Sequence, residues 1–121
     1  MLHLTERFSQ AVSTLVSDGP IKLRLSRAYT EHLVDLDDGE FPIHLRREFT
    51  DLQAALNRIA PMGNETRVRA SVQKMSVTEA GDHAGTIVRL YAMLLGQVER
   101  AEPLKVVTSP KKAPRYLTNR T

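Results

Sequence analysis

The sequence predicts an all-α protein, a compact bundle of about four amphipathic helices with a flexible basic C-terminal tail. Two observations support this fold class. Apolar residues recur at alternating steps of three and four in four separate segments, which is the spacing of one face of an α-helix. Proline and glycine stand between these segments, where they end one helix or begin the next. A chain of 121 residues is long enough to form one domain with its own core.

The first two predicted helices are separated by a short turn. Helix one covers residues 5–17 with Thr5 as its N-cap, and it ends because Gly19 permits a left-handed turn and Pro20 cannot continue a helix. Pro20 also suits the first turn of helix two, which is predicted over residues 20–36. The predicted inner face of helix two contains Ile21, Leu25, Ala28, Tyr29, His32, Leu33 and Leu36.

The third predicted helix begins at Pro42 and ends before Pro61. Its apolar face contains Leu45, Phe49, Leu52, Leu56 and Ile59. Residues 65–75 differ from the helical segments, because their apolar residues alternate with polar ones in a broken period of two. We interpret this segment as an extended linker that crosses the bundle, and the alternative is a strand that pairs with its copy in a dimer.

The longest periodic segment is helix four, residues 76–100, on which we expect the other helices to pack. Ser76 and Glu79 have the spacing of a capping box at its start. The predicted inner stripe contains Val77, Ala80, Ala84, Ile87, Tyr91, Leu94 and Val98.

Small residues form a second pattern on helix four and give a candidate protein interface, which contains Gly81, Gly85, Ala92 and Gly96. A glycine inside a helix costs about 0.5–1 kcal/mol relative to alanine. We therefore expect another backbone to approach this side closely. It would belong either to a helix of the same chain or to a helix of a second copy or another partner.

Charge is distributed unevenly along the chain. Residues 1–101 contain 12 basic and 13 acidic side chains, whereas residues 102–121 contain five basic side chains and one acidic. The second segment also has three prolines and no helical period, so we predict a helical domain over 1–101 and a flexible basic tail over 102–121.

The tail provides a candidate nucleic-acid site. Its Ser-Pro-Lys-Lys sequence at residues 109–112 resembles the short motif of basic chromatin tails, which lays its lysines along the DNA minor groove. Lys111, Lys112 and Arg115 would contact phosphates, and Tyr116 could stack on a base. Arg67 and Arg69 in the predicted linker would extend the basic surface if the tail folds back near them.

Three pairs of histidine and carboxylate have helical spacing and suggest a metal site. They are His32 with Asp35, His44 with Glu48, and Glu79 with His83. However, the Glu-x-x-His pattern of di-iron bundles is absent from the sequence, so we predict no metal and no cofactor. A chain without cysteine also excludes thiol catalysis and disulfides.

These observations predict a small non-catalytic interaction or adaptor protein whose partner is another protein or a second copy. We expect it in the cytoplasm and away from membranes, because the sequence has no signal-peptide core and no apolar run of roughly 18 residues. Two alternatives stay open. One is a nucleic-acid-associated accessory protein that uses the basic tail, and the other is a small metal-binding protein or enzyme.

Overall fold

A computed structural model of the chain describes the backbone of residues 2–107 and the side chains as far as Val98. Over this range the protein is all-helical, as the sequence predicts. The α-helices are α1 (Leu2–Leu15), α2 (Ile21–His32), α3 (Ile43–Leu56), α4 (Arg67–Lys74) and α5 (Val77–Val107), and a 3-10 turn at Asp38–Glu40 precedes α3. None of the helices in this range combines the length and the apolarity needed to cross a bilayer.

Helix α5 is the element on which the bundle is organised. It packs against α1, α2 and α3, which confirms the prediction that other helices pack on this segment. Helix α1 also packs on α2, and α4 bridges α2 and α3. The predicted capping box at the start of α5 is present, because the Ser76 hydroxyl accepts from the Glu79 N–H at 3.0 Å and the Glu79 carboxylate accepts from the Ser76 N–H at 3.0 Å.

The centre of the core is a cluster of three phenylalanines. Phe8 of α1 meets Phe41 edge to face, with ring centroids 5.8 Å apart and an interplanar angle of 87°. Phe41 stacks on Phe49 of α3 with a centroid distance of 4.2 Å. All three side chains are buried. The cluster therefore joins α1 to α3 through a residue that lies between the 3-10 turn and α3.

The extended linker predicted over residues 65–75 is wrong, and so is its alternative as a strand, because the chain forms α4 there. The Thr66 hydroxyl caps the helix by accepting from the Arg69 N–H at 3.1 Å. The buried positions Val68, Ser71, Val72 and Met75 follow a helical spacing. Ser71 is polar, so it interrupts the apolar pattern and makes the sequence read as an alternation.

Several predicted helix boundaries and inner positions also differ. Helix α1 begins at Leu2, not at Thr5, and α2 ends at His32, although Leu33 and Leu36 after it are still buried. On α5 the predicted inner residue Val77 is 67% exposed. The buried face of α5 contains Ala80, Ala84, Ile87 and Leu94, as predicted, together with Leu90.

Four arginines close the turns between helices with hydrogen bonds to main-chain carbonyl oxygens. Such bonds satisfy carbonyl groups that the ends of helices leave without partners. One bond of each arginine runs from Arg7 to His32 (2.8 Å), from Arg24 to Leu15 (2.6 Å), from Arg46 to Phe41 (2.9 Å) and from Arg67 to Asn57 (3.2 Å). Two of the arginines bind a second carbonyl, because Arg24 also donates to Gly19 at 2.7 Å and Arg46 also donates to Gly39 at 3.3 Å.

Candidate partner-binding surface

The side of α5 that faces away from the bundle carries a second apolar stripe. Residues two apart on a helix lie about 200° around its axis, so Gly85 points away from the fully buried Ile87. The stripe follows steps of four, four, three and four, which keep its members on one face. We call it the outer stripe of α5, and it consists of Val77, Gly81, Gly85, Val88 and Ala92.

Every residue of the outer stripe is exposed. The side chain of Val88 is 45% exposed and that of Val77 is 67% exposed. Apart from the adjoining backbone of α5 itself, a Cβ atom placed on Gly81 or on Gly85 would meet no atom of the described residues within 4 Å. The close approach by a helix of the same chain, one of our two expectations for these glycines, is therefore absent from the described part of the chain. Gly96, the fourth predicted small residue, is half-buried.

Charged residues border one side of the outer stripe. Asp82 and Arg89 are both exposed there, three residues before and four residues after Gly85. The Arg89 guanidinium donates to the Glu48 carboxylate of α3 through Nε, with a distance of 2.8 Å, and also through Nη2. Its side chain is still 57% exposed. The border therefore presents to solvent the Asp82 carboxylate and the Arg89 guanidinium, which is shared with Glu48 of the same chain.

A shallow hollow adjoins the other side of the outer stripe. It lies between the start of α1 and Tyr91, which is three residues from Val88 and half-buried. The hollow has a volume of about 600 Å³, and Leu2 on its rim is 69% exposed. The lining of the hollow also contains the polar residues His3, Thr5, Glu6 and Ser9. The surface beside the outer stripe therefore continues onto α1 as a partly apolar one.

Sequence reasoning found the glycines but missed the apolar residues that complete this surface. Val77 was placed on the inner stripe, and neither Val88 nor Leu2 was identified as part of an interface. The spacing of residues in the sequence predicts a second helical stripe that begins at Val77 and lies opposite to Ile87. The sequence does not predict that this stripe is exposed, because exposure depends on where the other helices pack.

The structure uses the carboxylates of the three histidine–carboxylate pairs for other contacts. Glu48 accepts from Arg89, and Glu79 belongs to the capping box of α5. Asp35 is paired with Arg7. Glu48 and His83 line one polar cavity of about 240 Å³ between α3 and α5. Nevertheless, among the described side chains no three of His, Asp and Glu form a group that could hold a metal ion.

Two of the three histidines in the predicted metal pairs contact neutral polar groups. The Nε2 atom of His44 lies 3.3 Å from Nε2 of Gln97, across the α3–α5 contact. The Nε2 atom of His32 lies 3.2 Å from the Thr14 hydroxyl, across the α1–α2 contact. These contacts join neighbouring helices, which is a structural role.

The structure describes two of the six residues that were predicted to bind nucleic acid. Lys111, Lys112, Arg115 and Tyr116 lie outside the described residues. Arg67 and Arg69 are both exposed, but two residues apart on α4 they point about 200° away from each other. Arg67 turns back to the Asn57 carbonyl, while Arg69 lines a groove between α2 and α4. Nucleic-acid binding through the tail stays a prediction.

Tyr29 is the buried titratable residue that links stability to pH. Its side chain is 1% exposed, and this burial raises the pKa of the phenol above the ordinary value of 10.0, because a phenolate would lose its hydration. Hydrogen bonds from Asn57, at 3.4 Å, and from Gln53 stabilise the phenolate and lower the pKa in part. The raised folded-state pKa means that unfolding releases a proton at alkaline pH.

We expect Tyr29→Phe to reduce the loss of stability at alkaline pH. The stabilisation by the neutral phenol is fully present below pH 10 and is lost as the pH rises through the folded-state pKa. Urea unfolding between about pH 8 and pH 11 should therefore show a smaller alkaline decrease in the free energy of unfolding in Tyr29→Phe than in the wild type. Tyr91→Phe, a change at a half-buried tyrosine, is the control. Equal decreases in Tyr29→Phe and the wild type would contradict the prediction.

The outer stripe of α5, with the hollow beside it, is the surface of the described residues that best fits a binding role. It combines exposed apolar side chains with backbone that none of the described residues covers. No family model, no curated protein and no solved structure matches this chain. The exposed surface on α5 is therefore the basis for proposing its function.

Proposed function

We propose that the protein is a non-catalytic interaction module that binds a helix of another protein chain on the outer stripe of α5. The observation that carries this proposal is the open space over Gly81 and Gly85 on an otherwise regular helix. Each exposed glycine costs about 0.5–1 kcal/mol relative to alanine, and no packing within the described chain offsets that cost. A helix that packs closely on the two glycines would offset it.

The shape of the surface favours a helix as the bound element. The outer stripe runs along four turns of α5, from Val77 to Ala92. The glycines in its middle have no side chains, so the surface is lower there than at Val77 and Val88, the two larger side chains of the stripe, and we infer a shallow groove between them. An amphipathic helix can lay its apolar face along such a groove and bury side chains at steps of three and four.

Photo-crosslinking from two matched positions tests this proposal in the cell from which the protein comes. A photoreactive amino acid would replace Val88 in one variant and Val34 in the other. These side chains have similar exposure, 45% and 48%, but Val34 lies after α2 and outside the outer stripe. We expect a discrete crosslinked protein, identified by mass spectrometry, from position 88 and not from position 34. The absence of a discrete product at position 88, or the same products at both positions, would overturn the proposal.

A further inference from the structure

We propose that the helix bound on the outer stripe is α5 of a second copy, packed antiparallel about a two-fold axis at Gly85. This inference rests on the proposed function and names the partner. A two-fold interface has to be complementary to itself, because the same patch lies on both sides. Both the size and the charge of the residues around Gly85 meet this condition.

The sizes of the side chains match when the stripe is reversed about Gly85. Gly81 lies four residues before Gly85 and Val88 three residues after it, so the reversal places Val88 of one copy over Gly81 of the other. Val77 and Ala92, eight residues before and seven after, are exchanged in the same way. Each valine thus faces a glycine or an alanine, and the two Gly85 residues meet at the axis. This arrangement lets the two backbones approach closely.

The charges match as well. Asp82 lies three residues before Gly85 and Arg89 four residues after it, on the same border of the stripe. A two-fold axis perpendicular to the plane of two antiparallel helices keeps this border on the same side in both copies. Asp82 of each copy therefore faces Arg89 of the other, which gives two opposite-charge pairs. In a parallel pair, the two-fold axis would run along the helices and place the two borders on opposite sides of the interface, so Asp82 of one copy would not meet Arg89 of the other.

The extent of the surface sets the expected strength of the dimer. A single helix pair is smaller than the standard protein interface of about 1,200–2,000 Å². The hollow beside Tyr91 and the exposed Leu2 on its rim enlarge the patch beyond α5. We expect a reversible dimer with a dissociation constant on the order of micromolar.

Sedimentation equilibrium of the full chain tests the dimer. We expect the wild type to pass from monomer to dimer between about 1 and 500 µM, and Gly85→Leu to weaken the association at least tenfold. The Tm of Gly85→Leu should equal or exceed that of the wild type, because Leu has the higher helix propensity and a Cβ meets no atom there. Ala54→Leu, at an exposed position of α3, is the control and should dimerise normally. A wild type that stays monomeric over this range would overturn the proposal.

Disulfide trapping tests the antiparallel geometry. The natural chain has no cysteine, so each introduced thiol reports on one position. We expect a mixture of the Gly81→Cys and Val88→Cys proteins to form mixed disulfides at least tenfold faster than either protein forms disulfides with itself. Faster self-pairing in both proteins would indicate a parallel pair and would overturn the proposal. A monomeric wild type together with a different crosslinked protein at position 88 would refute the dimer and leave the interaction function standing.

Discussion

Replacement of Phe8 by alanine is expected to lower the free energy of unfolding by about 3–5 kcal/mol. Phe8 has no exposed surface, and its ring contacts both other members of the phenylalanine cluster. Truncation removes the buried ring, leaves a cavity, and also breaks two edge-to-face pairs worth about 0.5–1.5 kcal/mol each in comparable settings. The cavity lies where α1, α3 and the segment before α3 meet, so no single helix can move to fill it.

Urea unfolding followed by circular dichroism at 222 nm measures this loss. Phe8→Leu is the matched control, because it keeps an apolar side chain of intermediate volume and should lose clearly less stability than Phe8→Ala. Val16→Ala provides a second control, since Val16 is 76% exposed just after α1 and its replacement should change stability little. A loss below about 1 kcal/mol in Phe8→Ala would show that Phe8 does not lie at the centre of the core.

Replacement of Ser71 by alanine is expected to cost about 1–3 kcal/mol, although it removes only one oxygen atom. The Ser71 hydroxyl accepts from the Ile59 N–H at 2.8 Å and donates to the Arg67 carbonyl at 2.8 Å, and the residue has no exposed surface. Alanine would leave the N–H of the half-buried Ile59 without its partner. The penalty is the desolvation of that group, not the lost contact alone.

Two measurements separate this effect from a general loss of packing. Urea unfolding gives the free energy, with Ser13→Ala on the exposed face of α1 as the control, which should change it by less than about 0.5 kcal/mol. Hydrogen exchange gives the location, because the Ile59 amide should exchange faster in Ser71→Ala than in the wild type. Unchanged exchange at Ile59 would mean that its bond to Ser71 does not protect it.

The fold class was predictable because helical periodicity is a local property of a sequence. The segment that became α4 was not recognised, since the buried Ser71 looks like a solvent-facing residue until the Ile59 N–H is known to reach it. The end of α2 at His32 was not predictable for a similar reason. There Arg7, 25 residues earlier in the chain, donates to the His32 carbonyl. The sequence did not predict α4 or the end of α2, because in both places a hydrogen bond joins residues that are distant in the chain.

The candidate site was predictable only in part for a comparable reason. The glycine spacing on α5 indicated a close approach, but the identity of the approaching helix depends on which side of α5 the bundle covers. Contacts between distant residues were also hidden, since helical spacing places His44 beside Glu48 but does not show that Arg89, 41 residues later, binds the same carboxylate. Spacing identifies residues that share a face, and tertiary packing decides what they contact.

The arginines that close the turns have a consequence for how this fold can change in evolution. Their partners are main-chain carbonyls, so the bonds themselves require no particular side chain at the accepting position. Lysine cannot replace Arg24 or Arg46 without loss, because one ammonium group lacks the planar fork that holds two carbonyls at once. Related sequences should therefore keep arginine at these positions whichever side chain the accepting residue carries. Methods that infer contacts from paired substitutions would not detect these bonds.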